Sequence, residues 1–307
     1  MKPLTKFCLI LCAVLTVLGF AGIGAGIAMG IRPSQLVNPA NYSGSFDSHT
    51  FHDSDHMREN SSAKSSEYYK FYDIRRLNFY FSFCNLKICS HDKDYVSLEA
   101  VNSGTTFRCS QEGDELILKD LREKRFFQNS MDSALHLTLY LPGQELKKAD
   151  IEIGVGNITI DRLSAESMEL ESGVGELNGM ELAAGSIDIN VGVGNLELEN
   201  ITASDNCRIE CGTGNLTVGR YEGADLKLDC GVGDITVTAA GKKQDYNYKL
   251  DCGLGDIHLN HQLQEPDSRQ HSDYEPGCSV NVDNQAERKL DIQCALGNLK
   301  LNFAEED

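Results

Sequence analysis

The residues of this sequence best equipped for chemistry are its thiols and its carboxylates, and both recur at fixed places. Cys211, Cys230, Cys252 and Cys294 each stand just before a corner motif, as in "LDCGVGDITV" (228–237) and "LDCGLGDIHL" (250–259). A column of thiols, with Cys207 beside it, could serve as a redox or metal ladder. These cysteines have no basic neighbour to lower their pKa, however, so a small polarizable filler stacked in a tapering core is the preferred reading. Disulfides between neighbouring copies stay open. Nine cysteines follow residue 31, an odd number, and none forms the CxxC frame of a zinc site. The carboxylates Glu152, Glu169, Glu171, Asp188, Glu197, Glu210, Asp229 and Asp251 read as outward-facing, and any two could be named an acid and base pair. Such abundance is what a solvated repeat face produces. His49, His52, Asp53, Asp55 and His56 crowd together as possible metal ligands, but in a polar stretch that offers no preorganised frame.

The elements that position these residues follow from self-similarity. The second glycine of a GxG pair falls at Gly156, Gly175, Gly194, Gly214, Gly233 and Gly255, in steps of 19, 19, 20, 19 and 22 residues. The first glycines are Gly154, Gly173, Gly192, Gly212, Gly231 and Gly253. A last copy, "LDIQCALGNLKLNF", carries Gly297 two periods further on, so a loop is expected to replace part of one turn. An early degenerate copy, "LNFYFSFCNLKI" (77–88), has Ser82 and Cys84 in the glycine slots.

Positions five, three and one before the first glycine are apolar in most copies, for example Ile187, Ile189 and Val191, with polar residues between them. That is the period-two pattern of a strand with one buried face. A second short apolar alternation follows each corner, such as Leu196 and Leu198. Each copy therefore reads as strand, bend, strand, turn. A unit of about 20 residues cannot shelter its own apolar side, but copies stacked at ~4.8 Å bury one another. The fold predicted is an all-β solenoid of about eight coils, with glycine at corners that a side chain would obstruct. The residue between the glycines (Val155, Val174, Val193, Thr213, Val232, Leu254) is expected to plug the corner of the core. The polar residue after them (Asn157, Glu176, Asn195, Asn215, Asp234, Asp256, Asn298) is expected to bond turn backbone.

Ahead of this body, Lys2 and Lys6 precede a run from Phe7 to Ile31 without a charged side chain. Those 25 residues are long enough at ~1.5 Å each to cross a ~30 Å hydrocarbon layer. The expected organisation is a cytoplasmic end (1–6), a transmembrane signal anchor (7–31), an extracytoplasmic tether (32–66) and the strand-repeat body (67–307). Small residues around Gly26 and Ala28 leave cleavage open. Gly22, Gly26 and Gly30 share one helix face, a spacing that permits self-association in the membrane. With 46 acidic against 28 basic residues the formal charge is −18, which excludes nucleic acid as a natural partner.

Residues 69–303 resemble the bacterial membrane-anchored β-strand-repeat proteins called putative adhesins, a domain family of unknown function. The resemblance rests on "LTLYLPGQELKKADIEIGVGNITI" (137–160), on the GVGN and GVGD corners, on the closing "CALGNLKLNF", and on the anchor "FCLILCAVLTVLGFAGIGAGIAMG". It implies an exported solenoid engaged in adhesion or envelope maintenance, and it supplies no catalytic residue or cofactor. The function expected is a non-enzymatic binding or adhesion protein of the cell envelope whose partner is an envelope protein or wall polymer. The alternative is an accessory or sensor component of an envelope-stress system. Two further readings have less support. Calcium-binding toxin repeats follow GGxGxDxUx, whereas here the acidic residue comes directly after the second glycine and alternates with Asn. A polysaccharide-active solenoid would need two of the many carboxylates to share a cleft. No nucleophile elbow, HExxH, Walker loop or kinase signature occurs, and no GxG continues as GxGxxG into a helix.

Overall fold

The computed structural model describes residues 66–101, 107–120, 135–264 and 277–305. The expected cytoplasmic end, anchor and all but the last residue of the tether lie outside the described residues, as do Cys8, Cys12 and the histidines at 49, 52 and 56. Among the described residues no helix is long and apolar enough to cross a membrane, and the helical content is one 3-10 turn, Lys243–Asp245.

The strands are β1 (Ser66–Phe71), β2 (Arg76–His91), β3 (Val96–Val101), β4 (Phe107–Glu112), β5 (Glu115–Asp120), β6 (Leu135–Pro142) and β7 (Leu146–Val155). Then come the long strands β8 (Ile158–Val174), β9 (Leu177–Val193), β10 (Leu196–Thr213) and β11 (Leu216–Val232). The C-terminal part holds β12 (Ile235–Ala239), β13 (Tyr246–Leu254), β14 (Ile257–Leu259), β15 (Gln262–Leu263), β16 (Cys278–Val282), β17 (Arg288–Leu296) and β18 (Leu299–Phe303).

Period-two alternation is what makes them strands. In β7 the side chains of Ala149, Ile151 and Ile153 are buried while Lys148, Asp150 and Glu152 keep contact with solvent. Because the repeat length equals one circuit, like positions lie on like positions. Ile151 pairs with Leu170, Leu170 with Ile189, Ile189 with Ile209 and Ile209 with Leu228, all in parallel register. The buried residues before each corner and those after it belong to one continuous core. The body is a β-solenoid, as the repeat predicts.

Three details differ from the sequence reading. In the four central copies the turn expected at the far end is not a break: β8 runs unbroken from Ile158 to Val174 through the bend, and β9, β10 and β11 do the same, whereas β12 and β13 are separate strands. Leu146, Ala165, Ala184, Ala203 and Gly223 stack there, and the mostly small residues leave room for the two arms to converge.

The second difference is the stacking order. β17 pairs with β11 on one side and β13 on the other, and β18 lies between β12 and β14. The coil written last is therefore inserted between two written earlier. Leu290, Ile292, Cys294, Leu299 and Leu301 offer either neighbour the same buried pattern, so register does not depend on chain order. β16 closes that end by pairing antiparallel with β13. At the other end β2 is the degenerate copy, its two arms parallel to β7 and β8 on one side and to β5 and β6 on the other. Antiparallel β3, β1 and β4 then extend the sheet beyond them.

The third difference is at the corner. Val155, Val174, Val193, Thr213, Val232 and Leu254 do not plug the core. Val193 is 50% and Leu254 53% exposed. The second glycine supplies the reason: with φ near +149° at Gly175 the chain swings around the corner, so the residue before it lies on the convex side and projects outward.

Candidate functional site

The corner is the one feature that every coil repeats. An ideal Cβ on Gly212 would sit 2.4 Å from the carbonyl oxygen of Gly192 in the coil beside it, and one on Gly175 would sit 2.0 Å from that of Gly156. Backbone fills the space a side chain would need. Adjacent corners are joined by main-chain bonds such as Gly175 N–H to Val193 C=O, 2.9 Å.

The polar slot after the glycines forms its own ladder. The Asn157 Oδ1 accepts from the Glu176 N–H at 3.0 Å, Asn195 from Asn215 at 3.0 Å, and Asn215 from Asp234 at 3.1 Å. Asp234 accepts from Asn298 at 2.7 Å, and Asn298 from Asp256 at 3.2 Å. The expected bond to turn backbone is made, but to the turn of the neighbouring coil. It thereby satisfies N–H groups that the bend leaves without a ladder partner.

Outside the corner stands a row of side chains in register: Phe83, Val155, Val174, Val193, Thr213, Val232, Leu296 and Leu254. Seven of the eight are apolar and all keep solvent contact. Glycines flank most of them, so little shields the row.

Inside the corner lie the thiols. Cys211 pairs with Cys230, Cys230 with Cys294, and Cys294 with Cys252, so the four predicted cysteines do form one column, in spatial rather than chain order. Cys278 of β16 faces Cys252 and adds a fifth. All five are buried and free. The S–H groups of the four repeat cysteines point at glycine carbonyls, Cys252 to Gly297 at 3.1 Å and Cys294 to Gly233 at 3.3 Å, and that of Cys278 points at the Gln264 carbonyl at 3.7 Å. The closeness of Cys211 and Cys294 raises the pKa of the Cys230 thiol, and that of Cys230 lowers the pKa of both neighbours. Burial pushes Cys252 up to about 11 and Cys207, which lies outside this column, up to about 12.

The sequence model of one family, Toastrack DUF4097, matches residues 74–302, about three-quarters of the chain. The chain belongs to the Toastrack DUF4097 family. No curated protein matches it. Solved structures similar to it include a putative adhesin from Bacteroides fragilis, 13% identical over 79% of this chain and 98% of that one, with a TM-score of 0.43. Others are a putative cell adhesion protein from Clostridium sporogenes (13% identity, 78% and 100% covered, TM-score 0.35) and a putative lipid binding protein from Parabacteroides distasonis (16%, 79% and 97%, TM-score 0.32).

The carboxylates of this Toastrack body sort into two outward columns. Glu152, Glu171, Glu210, Asp229 and Asp251 share one, interrupted by Asn190 and Gln293. Glu169 and Asp188 share the next, whereas Glu197 lies on the other arm of its coil. Desolvation, then repulsion from Glu171, Asp150 and Glu169, raises the pKa of Glu152; desolvation raises that of Asp188 against the pull of Arg208. Both side chains stand on an exposed strand face. Along β10, β11 and β13 each acid has its own cation two residues earlier: Arg208 for Glu210, Lys227 for Asp229 at 3.4 Å, and Lys249 for Asp251 at 2.7 Å.

A shallow cavity of about 330 Å³ opens at the far bend beside Thr202, Ser204, Glu222, Glu287 and Arg288. Its guanidinium is already engaged, lying 5.5 Å from the Tyr246 ring and 3.3 Å from its hydroxyl. Among the described residues no group of three or more His, Cys, Asp or Glu is arranged to hold a metal ion.

The corner row and Cys278 were missed in the sequence. Counting alternation straight through the glycines puts the row inside, and Cys278 belongs to an antiparallel strand outside the repeat. The signal available for the row was the unbroken Val, Val, Val, Thr, Val, Leu succession itself.

Proposed function

We propose that this Toastrack protein is a non-enzymatic binding protein of the bacterial cell envelope. The apolar run Phe7–Ile31 anchors it, and the strand-repeat body stands outside the membrane and contacts an envelope protein or wall polymer. The observation that carries this reading is the exposed corner row. A line of apolar side chains repeated on a stiff stack and left in solvent on every rung is a contact surface. The formal charge of −18 favours partners other than anionic polymers and phosphate surfaces. Lys2 and Lys6 ahead of the apolar run favour an outward body.

The test is retention of the detergent-solubilised full chain on cell-wall and envelope-protein fractions, compared with the triple variant Val174→Lys, Val193→Lys, Val232→Lys. The wild type is expected to be retained and the variant to lose at least ~10-fold in affinity, with its unfolding midpoint little changed, as exposed sites allow. Equal retention of both, or of neither, removes the reading. Protease added to intact cells should digest the body and spare the first residues if the orientation is right.

A further inference from the structure

We propose that the thiol column Cys211–Cys230–Cys294–Cys252–Cys278 binds soft monovalent d10 cations, with Cu(I) as the physiological case, each held linearly between two neighbouring sulfurs.

Packing alone does not account for the column. In the coils that precede it the same position is filled by Ile153, Ser172 and Val191. The corner thus accepts branched aliphatic residues, yet five consecutive rungs carry sulfur instead. Strand spacing sets the distance between rungs at ~4.8 Å. Two metal–sulfur bonds of ~2.3 Å placed end to end span ~4.6 Å, so an ion between adjacent rungs fits without moving the backbone. Wider coordination is not on offer, since among the described residues no group of three or more His, Cys, Asp or Glu is arranged around one point. That excludes the tetrahedral zinc arrangement and leaves a two-coordinate ion. Soft sulfur donors with no oxygen or nitrogen ligand select Cu(I) over harder cations.

Access comes from the glycines. An ideal Cβ on Gly255, which is exposed, would lie 3.3 Å from the Cys252 sulfur, so only bare main chain separates the column from solvent there. Protons balance simply. Two thiols and one cation give a linear bis-thiolate of charge −1 and release two protons to solvent; a sulfur shared by two cations lets successive ions add with little further charge.

The experiment uses the full reduced chain under anaerobic conditions, titrated with Cu(I) in competition with a chromophoric Cu(I) chelator. X-ray absorption of the loaded protein is expected to show two sulfur neighbours at ~2.2–2.3 Å. Replacing alternate rungs, Cys230→Val with Cys252→Val, leaves no two thiols adjacent and should weaken Cu(I) binding by more than ~100-fold, beyond the range typical of outer-shell changes. Cys278→Val should remove one ion from the capacity, and Cys207→Val, outside the column, should change nothing. A coordination shell of nitrogen or oxygen, or equal binding by wild type and the alternate-rung variant, overturns the proposal. The absorption result on the wild type decides the matter even if that variant fails to fold.

Discussion

Two columns of side chains pass the same glycine corner and meet opposite surroundings. One residue before the first glycine, Cys211 and Cys230 are buried. Two residues later, between the glycines, Thr213 and Val232 stand in solvent. Both columns keep the same rung-to-rung register over several coils. What differs is curvature: the inner column lies on the concave side of the turn, where backbone carbonyls and core atoms crowd, and the outer on the convex side, where nothing follows. Stability of the stack should therefore depend on the corner and its inner side, and recognition on the outer side.

The largest effect that would break this division is expected at the second glycine. An ideal Cβ on Gly194 falls 1.8 Å from the Gly175 oxygen, and its φ is +149°. Steric overlap and backbone strain then act together, and Gly194→Ala should cost at least ~3 kcal/mol in urea unfolding. Val193→Ser, one residue earlier, should stay within ~0.5 kcal/mol. Gly212→Ala comes next at about 1–3 kcal/mol, because its neighbour contact is similar in kind at 2.4 Å but its φ is not positive. Comparable losses at Val193 and Gly194 would mean that the convex side is buried by something and that the corner is not an edge.

The inner column and the stack were readable in the sequence because both depend on a period. Cys211, Cys230, Cys252 and Cys294 share an offset from the corner, and stacking like offsets is all that a solenoid requires. The outward direction of the row from Phe83 to Leu254 was misread for a related reason: period two holds only along a strand, and Gly175 and its equivalents end that strand direction by one positive φ each. Coil order was also hidden. Leu290, Ile292 and Cys294 match the residues of β11 and of β13 equally well, so nothing in the pattern says which neighbour the last coil takes, or that it takes both.

A smaller test sharpens the comparison at the polar ladder, which borders both columns. The Asn215 side chain accepts the Asp234 N–H at 3.1 Å on an exposed bend. Asn215→Ala should cost about 0.5–1.5 kcal/mol, the usual worth of such a bond. Asn215→Asp, which keeps the acceptor, should recover most of the loss. A loss as large as that at Gly194 would place the ladder with the core and not with the edge.

The smallest effect expected lies in the outward acid column, where the convex-side rule of tolerance meets charge. Glu152 pairs with Glu171 and has its pKa raised by desolvation and by that repulsion. A carboxyl whose folded pKa lies above its unfolded value penalises the folded state when ionised, so the penalty is fully present above the raised value and disappears as pH falls below the ordinary glutamate range. Glu152→Gln should thus stabilise the protein at neutral pH, by no more than a few tenths of a kcal/mol because solvent screens the face, and show no advantage in mild acid. Glu210 offers the opposite case, since Arg208 already pairs with it. Glu210→Gln should lose a similar small amount at neutral pH. If the two substitutions shift the unfolding midpoint in the same direction, the charge on this face acts as a whole and not rung by rung.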